Sequence, residues 1–183
     1  FPLFNMLKHW NGGINRHSIP LDGRSFNIAG ISGLSFTAIP VTGKAPPYSP
    51  HRNDAHIGDN IGIKVTDESN GKNLFYSPGL GDLTDQTRQL MGEADCLLVD
   101  GTFWREDEML TTGVGDKRAK DMGHLPQSGE NGMINVLKAM DKPRKILIHI
   151  NNTNPILDED SEQRKILASE GIEVSFDGMN VKL

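Results

Sequence analysis

Three observations predict a layered α/β or α+β domain in which helices cover a sheet. Alternating strand patterns come first, an Asn-Gly turn joins two of them, and beyond residue 82 helical spacings alternate with short, continuous apolar runs. In chain order, FPLFNMLKHW places Phe1, Phe4, Met6, Leu7 and Trp10 on one partly apolar helical face. LSFTAIPV (34–41) and NIGIKVTD (60–67) alternate as half-buried strands do, and Asn70-Gly71 then turns the chain into NLFYSP (73–78), which predicts a hairpin. Residues 43–59 are too rich in Pro, Gly and Asp for helix or strand. They are also too many for a plain connector, and ordered loops of that length often carry function.

LTDQTRQLMGEA (83–94) has helical spacing with Thr84 as its cap, and CLLVDGTF (96–103) opens as a buried strand. A loop over 104–129 contains MGHLP. NGMINVLKAM (131–140) is predicted as helix, KILIHI (145–150) as a second buried strand and 158–170 as a helix with charge pairs at i,i+4 spacing. IEVSFDGMNVKL (172–183) is expected to close the chain as two strands turned at Asp177-Gly178. No repeat or low-complexity tract divides the sequence, so residues 1–183 are expected to form a single domain.

Composition narrows the function classes. With 183 residues, 36% hydrophobic and 23% charged, the chain can bury a core. No apolar run approaches the roughly 18–20 residues that cross a bilayer, which argues against membrane insertion. A net charge of −5, a pI near 5.6 and the lack of any Lys/Arg stripe argue against nucleic acid as a partner. The one cysteine, Cys96, excludes an intrachain disulfide and is read as a buried structural thiol, in keeping with a reducing, cytoplasmic setting. A start at Phe1, inside a helical pattern and without Met, gives the expectation of a truncated chain.

Chemistry is sought among six histidines. His9 and His17 sit in polar helix-or-turn context and are read as non-functional. His51 and His56 share the 43–59 loop, His124 lies in MGHLP, and His149 ends the strand KILIHI, at the strand end where α/β folds place their chemistry. A strand histidine serves either as a hydrogen-bonded core residue or as a ligand, and the loop histidines either cap turns or coordinate. Asp100 ends LLVD in a comparable position, where a buried carboxylate demands a metal, a histidine, an arginine or backbone amides as partner. His and Asp arriving from several strand ends suit a catalytic zinc or iron site, although no HExxH, CxxC or HxHxDH is present. Gly79-Leu80-Gly81 and Gly113-Val114-Gly115 lack the third glycine of a dinucleotide loop and are read as turns. Ser77 and Ser128 lack the GxSxG elbow. LDEDSEQR (157–164) is read as the acidic start of a helix and not as a calcium loop.

APPYSPHRNDAHIGDN, LFYSPGLG, CLLVDGTFW, MGHLP, LIHINNTNPILDEDS and the ending EVSFDGM resemble the coenzyme PQQ synthesis protein B family, within the metallo-β-lactamase-like superfamily. The resemblance covers essentially the whole chain and implies the C-terminal part of a metallo-β-lactamase-like αββα sandwich, with about the first two fifths of the usual protein, including a histidine-rich motif, absent. It implies pyrroloquinoline quinone (PQQ) biosynthesis through iron-dependent hydroxylation of the tyrosine of a Glu-Tyr-derived precursor. The alternative role is that of a carrier moving PQQ or its precursor toward the periplasm. Under this resemblance His149, with His51 or His56, holds iron, with zinc as the other metal. His124 and Asp100 orient ligands or move protons, and Arg52 binds a substrate carboxylate. Gly79-Leu80 stands where many relatives carry a bridging aspartate, a departure from the two-metal hydrolases. The expected partners are the small precursor or PQQ, with a homodimer as the candidate assembly.

Overall fold

The structure is a computed structural model that describes residues 2–10, 13–45, 48–52 and 54–183, with side chains from residue 5 onward. The first helix, α1 (Pro2–Leu7), forms where the apolar face is expected. The Phe1 and Phe4 positions of that face lie outside the described residues and side chains.

Seven strands form one mixed sheet in simple chain order: β1 (Ser25–Phe26), β2 (Leu34–Pro40), β3 (Ile61–Asp67), β4 (Asn73–Ser77), β5 (Cys96–Asp100), β6 (Arg144–Ile148) and β7 (Ile172–Val174). The first four pair antiparallel and the last four parallel. The sequence pattern shows why. β2 and β3 alternate and keep one face partly open, whereas β5 is an unbroken apolar run with Cys96, Leu97 and Val99 fully buried, as a parallel strand covered on both faces requires. Gly62 makes room for the core: a Cβ there would lie 2.8 Å from Phe75 Cζ.

Helices supply the cover. In α2 (Asp85–Glu93) the Thr84 hydroxyl accepts from Thr87 N at 3.1 Å, and Thr87 and Met91 face inward one turn apart. Met91, Met133 and Leu137 of α5 (Met133–Lys138), and Leu167 of α6 (Glu162–Ser169), join Phe75, Leu97, Val99 and Leu147 in one core. Among the described residues no helix is long and apolar enough to cross a membrane.

Several expectations change. β1 is an added two-residue strand, too short for alternation to register. The 104–129 loop contains two single-turn helices, α3 (Glu108–Thr111) and α4 (Ala119–Met122). The first is held by tertiary bonds and not by periodicity: buried Glu108 accepts from Trp104 N and from the Thr153 hydroxyl, both at 2.6 Å. Residues 155–157 form a 3-10 turn, and α6 starts only at Glu162, after its cap Ser161. The closing strand pair is corrected to a single strand. The Asp177-Gly178 turn closes with Met179 N donating to Phe176 O at 3.1 Å, but after Ser175 N bonds Leu147 O no further ladder forms.

Candidate functional site

Parallel register builds the site. Asp100 of β5 pairs with Ile148 of β6, so the two strands end side by side and their next residues meet beyond the sheet. Gly101 N donates to Ile148 O at 2.7 Å and Asn151 N to Thr102 O at 3.1 Å, which sets Thr102 against His149. β4 ends one strand over, and Leu80 N reaches Asp100 Oδ2 at 2.9 Å. His124 arrives from the other side. The C-cap of α4, Gly123, turns with φ 90°, in a place where a Cβ would lie 3.1 Å from Lys44 N, and Leu125 N then bonds Leu80 O at 2.7 Å. The whole assembly lies at the carboxyl ends of the parallel strands.

Asp100 is fully buried, and its four lone-pair positions are all filled. Oδ1 accepts from Thr102 N (3.0 Å) and Thr102 Oγ1 (2.5 Å), while Oδ2 accepts from Leu80 N (2.9 Å) and His124 Nδ1 (2.7 Å). That saturation makes Asp100 an anchor and leaves it no lone pair for an ion.

The Thr102 hydroxyl spends its single proton on Asp100. It therefore accepts from His149 Nδ1 (2.9 Å), while the His124 Nδ1 proton goes to Asp100 Oδ2, with Thr102 Oγ1 at 3.1 Å only as the longer branch of a shared bond, so both rings carry their proton on Nδ1. Each Nε2 is left as a bare lone pair, and neither makes a hydrogen bond among the described residues. The rings stack with centroids 5.3 Å apart, and Phe103 meets the edge of His124 at 5.9 Å. His149 is exposed and sits at φ 55°, the one non-glycine residue with positive φ among those described.

Candidate ligand atoms gather in two groups, each with all its atoms within 4.8 Å of one another: Asp100, His124 and His149, and separately His51, Asp54 and His56. Of the residues singled out from sequence, Asp100, His124 and His149 thus come together, while His51 and His56 meet each other, with ring centroids 4.5 Å apart. In this second group His56 Nε2 lies 3.3 Å from Asp54 Oδ2. The loop bearing it is fastened beside the first group, since Gly81 N bonds Thr42 O (2.9 Å) and Lys44 Nζ bonds Asp121 O (2.7 Å). The half-buried Arg52 donates to the Ala45 carbonyl, which braces this loop. His9 and His17 are exposed and belong to neither group. Cys96 is buried, and burial pushes its thiol pKa up, away from nucleophile behaviour. Sequence reasoning missed Thr102. The available signal was a hydroxyl two residues past a strand-end carboxylate, a spacing that permits its side chain to bond back.

A domain description, "Beta-lactamase superfamily domain", matches residues 1–150. The chain is 56% identical over 183 residues to the coenzyme PQQ synthesis protein B of Methylococcus capsulatus, covering 100% of this chain and 60% of that protein. With the Stutzerimonas stutzeri counterpart the identity is 57% over the same shares. The chain thus spans about three fifths of the length of these relatives. Among solved structures, Zn(2+)-bound PqqB from Methylobacterium extorquens matches with a TM-score of 0.84 and 34% identity, over 94% of this chain and 57% of that one. A diphosphatase from the PhnP family matches at TM-score 0.58 and 13% identity, over 99% of this chain and 54% of that one, a likeness of fold alone. With its sheet, its strand-end cluster of imidazoles and carboxylate, and a domain match over residues 1–150, the chain belongs to the beta-lactamase superfamily.

Proposed function

We propose that this chain serves PQQ biosynthesis in the cytoplasm, as part of a metal-dependent protein that hydroxylates the tyrosine ring of a Glu-Tyr-derived precursor. The observation that carries the proposal is the Asp100–Thr102–His124–His149 network, in a chain 56% identical throughout to coenzyme PQQ synthesis protein B. The donor set fits a borderline metal, since His149 offers an exposed, unpartnered Nε2 fixed by its Nδ1 bond to Thr102. His149 would hold the ion, iron in the hydroxylating protein and zinc as the other ion the donor set accepts. His51 or His56 would supply a second imidazole from the adjoining loop. A bound iron supplies the redox chemistry of dioxygen.

The remaining residues position and move protons. Asp100 keeps His124 in the Nδ1–H tautomer, so His124 Nε2 faces outward as a proton acceptor, and the Asp100 charge stabilises the imidazolium that results. Arg52 would bind a substrate carboxylate with the N–H groups that Ala45 does not use.

Oxygen uptake by the full-length, iron-loaded protein with the precursor tests the proposal. Uptake should be lost together with iron in His149→Ala, and lost with iron retained in His124→Asn. Tight, metal-independent binding of PQQ without oxygen uptake would replace this proposal with the carrier role.

A further inference from the structure

We propose that the cleft beside His149 is a subsite for the carboxylate of an aromatic amino acid or its peptide, with Arg164 as the binding group. The cleft, about 410 Å³, is lined by His149, Ile156, Arg164, Val174, Phe176 and Asp177. A second cavity adjoins it and shares Arg164, Val174 and Phe176, so a groove runs from the histidine cluster past the end of β7.

Arg164 is the telling residue. Its side chain is only 23% exposed, yet among the described residues its guanidinium makes no hydrogen bond. The nearest carboxylate, Glu159, stands 3.8 Å away and is 86% exposed, which makes it a screened and displaceable neighbour. A largely desolvated guanidinium with its donors unspent has an unmet need for a planar, bidentate acceptor.

Phe176 supplies the second half of the argument. It is 68% exposed on the turn after β7, although a large aromatic gains by burial. Its ring and Arg164 line the same cleft as His149. A ligand with a carboxylate on Arg164 and a ring against Phe176 would therefore sit next to the imidazole cluster. Asp177 and Glu159, also lining the cleft, favour a ligand that carries an ammonium beside its carboxylate. The inference rests on the proposed function only for the identity of the ring. The subsite itself follows from the unspent guanidinium.

L-tyrosine and tyramine differ only by the carboxylate, so titrating each into the full-length, metal-loaded protein while following amide shifts reads the subsite directly. L-tyrosine should bind at least about tenfold more tightly than tyramine, the factor that one charge-assisted bond provides. Arg164→Gln should bring L-tyrosine down to the tyramine level while leaving tyramine affinity unchanged. Arg164→Lys, which keeps the charge but loses the planar fork, should weaken L-tyrosine alone and covers the case in which the Gln variant does not fold. Equal binding of the two ligands, binding of neither, or an equal loss of both on substitution would overturn the proposal. These affinities need no turnover, so a protein that consumes no precursor leaves this test intact, and a failed subsite leaves the oxygen-uptake test intact.

Discussion

At the scale of single residues, the site depends on one proton. Thr102 has a single hydroxyl hydrogen, Asp100 takes it at 2.5 Å, and His149 must then donate to the Thr102 oxygen, whereas His124 donates chiefly to Asp100 at 2.7 Å. Thr102→Val keeps the side-chain shape and removes that acceptor, and loss of a partner that orients a metal ligand costs about 10–100-fold in affinity. Metal titration should show that loss in Thr102→Val and recovery in Thr102→Ser, with imidazole nitrogen shifts reporting mixed tautomers only in the valine variant. His149 carries a different burden, for φ 55° costs a non-glycine residue about 1–2 kcal/mol. His149→Gly should therefore melt higher than His149→Ala although both lose the metal, and equal melting midpoints would show that no backbone strain is stored there. Asp100 and His149 were legible in the sequence because a polar residue at the end of an apolar strand stands out. Thr102 was not legible, because its role depends on which residue β6 sets beside it. Arg164 was not legible either, because only the fold brings it to the cleft beside His149.

At the scale of elements, the β5–β6 junction sets the geometry, and Gly101 is where it is tightest. A Cβ there would lie 2.9 Å from both Ile148 O and Leu147 Cβ, so Gly101→Ala should destabilise by about 1–3 kcal/mol in urea unfolding and loosen the Thr102–His149 pair. The next junction, β6 to β7, is clasped by Arg144, whose Nε and Nη2 donate to the Glu173 carboxylate at 2.7 and 2.8 Å. The Arg144 bond holds the Glu173 pKa below the usual glutamate range. A depressed folded value means that this contribution is full above the ordinary glutamate pKa and fades as pH falls through the folded one. Both side chains are more than a third exposed, so solvent screening limits the pair to about 0.5–1 kcal/mol. Urea midpoints across the acid range should accordingly fall less steeply for Glu173→Gln than for the parent. Elements with several residues of clear period, such as β3 and α2, and the continuous apolar run of β5 were readable in advance. The single-turn α3 was not, because the bond of buried Glu108 to Thr153, 45 residues along the chain, exists only after the chain has closed.

At the scale of the molecule, the switch from antiparallel to parallel pairing at β4 explains both what the sequence revealed and where the chemistry lies. Hairpins followed by alternating helices and apolar strands are compatible with a sheet that has an antiparallel half and a parallel half, and the ends of the parallel strands collect side chains from distant stretches of chain. Asp100, His124 and His149 come from β5, the turn after α4 and the end of β6, so an ion on His149, whose ring is fixed through Thr102 to Asp100, would tie together segments that separate on unfolding. Binding to the folded state alone stabilises by about 2.7 kcal/mol at a hundredfold excess over the dissociation constant, and each kcal/mol moves the melting point of a domain this size by about 2–4 °C. Adding metal to chelator-treated protein should raise the melting midpoint by several degrees and leave His149→Ala unmoved. His51→Ala separates the two groups of ligands. A shift reduced in that variant would show the 43–59 loop sharing the ion through His51, whereas a full shift in both His51→Ala and His56→Ala would place the stabilising ion on His149 without that loop.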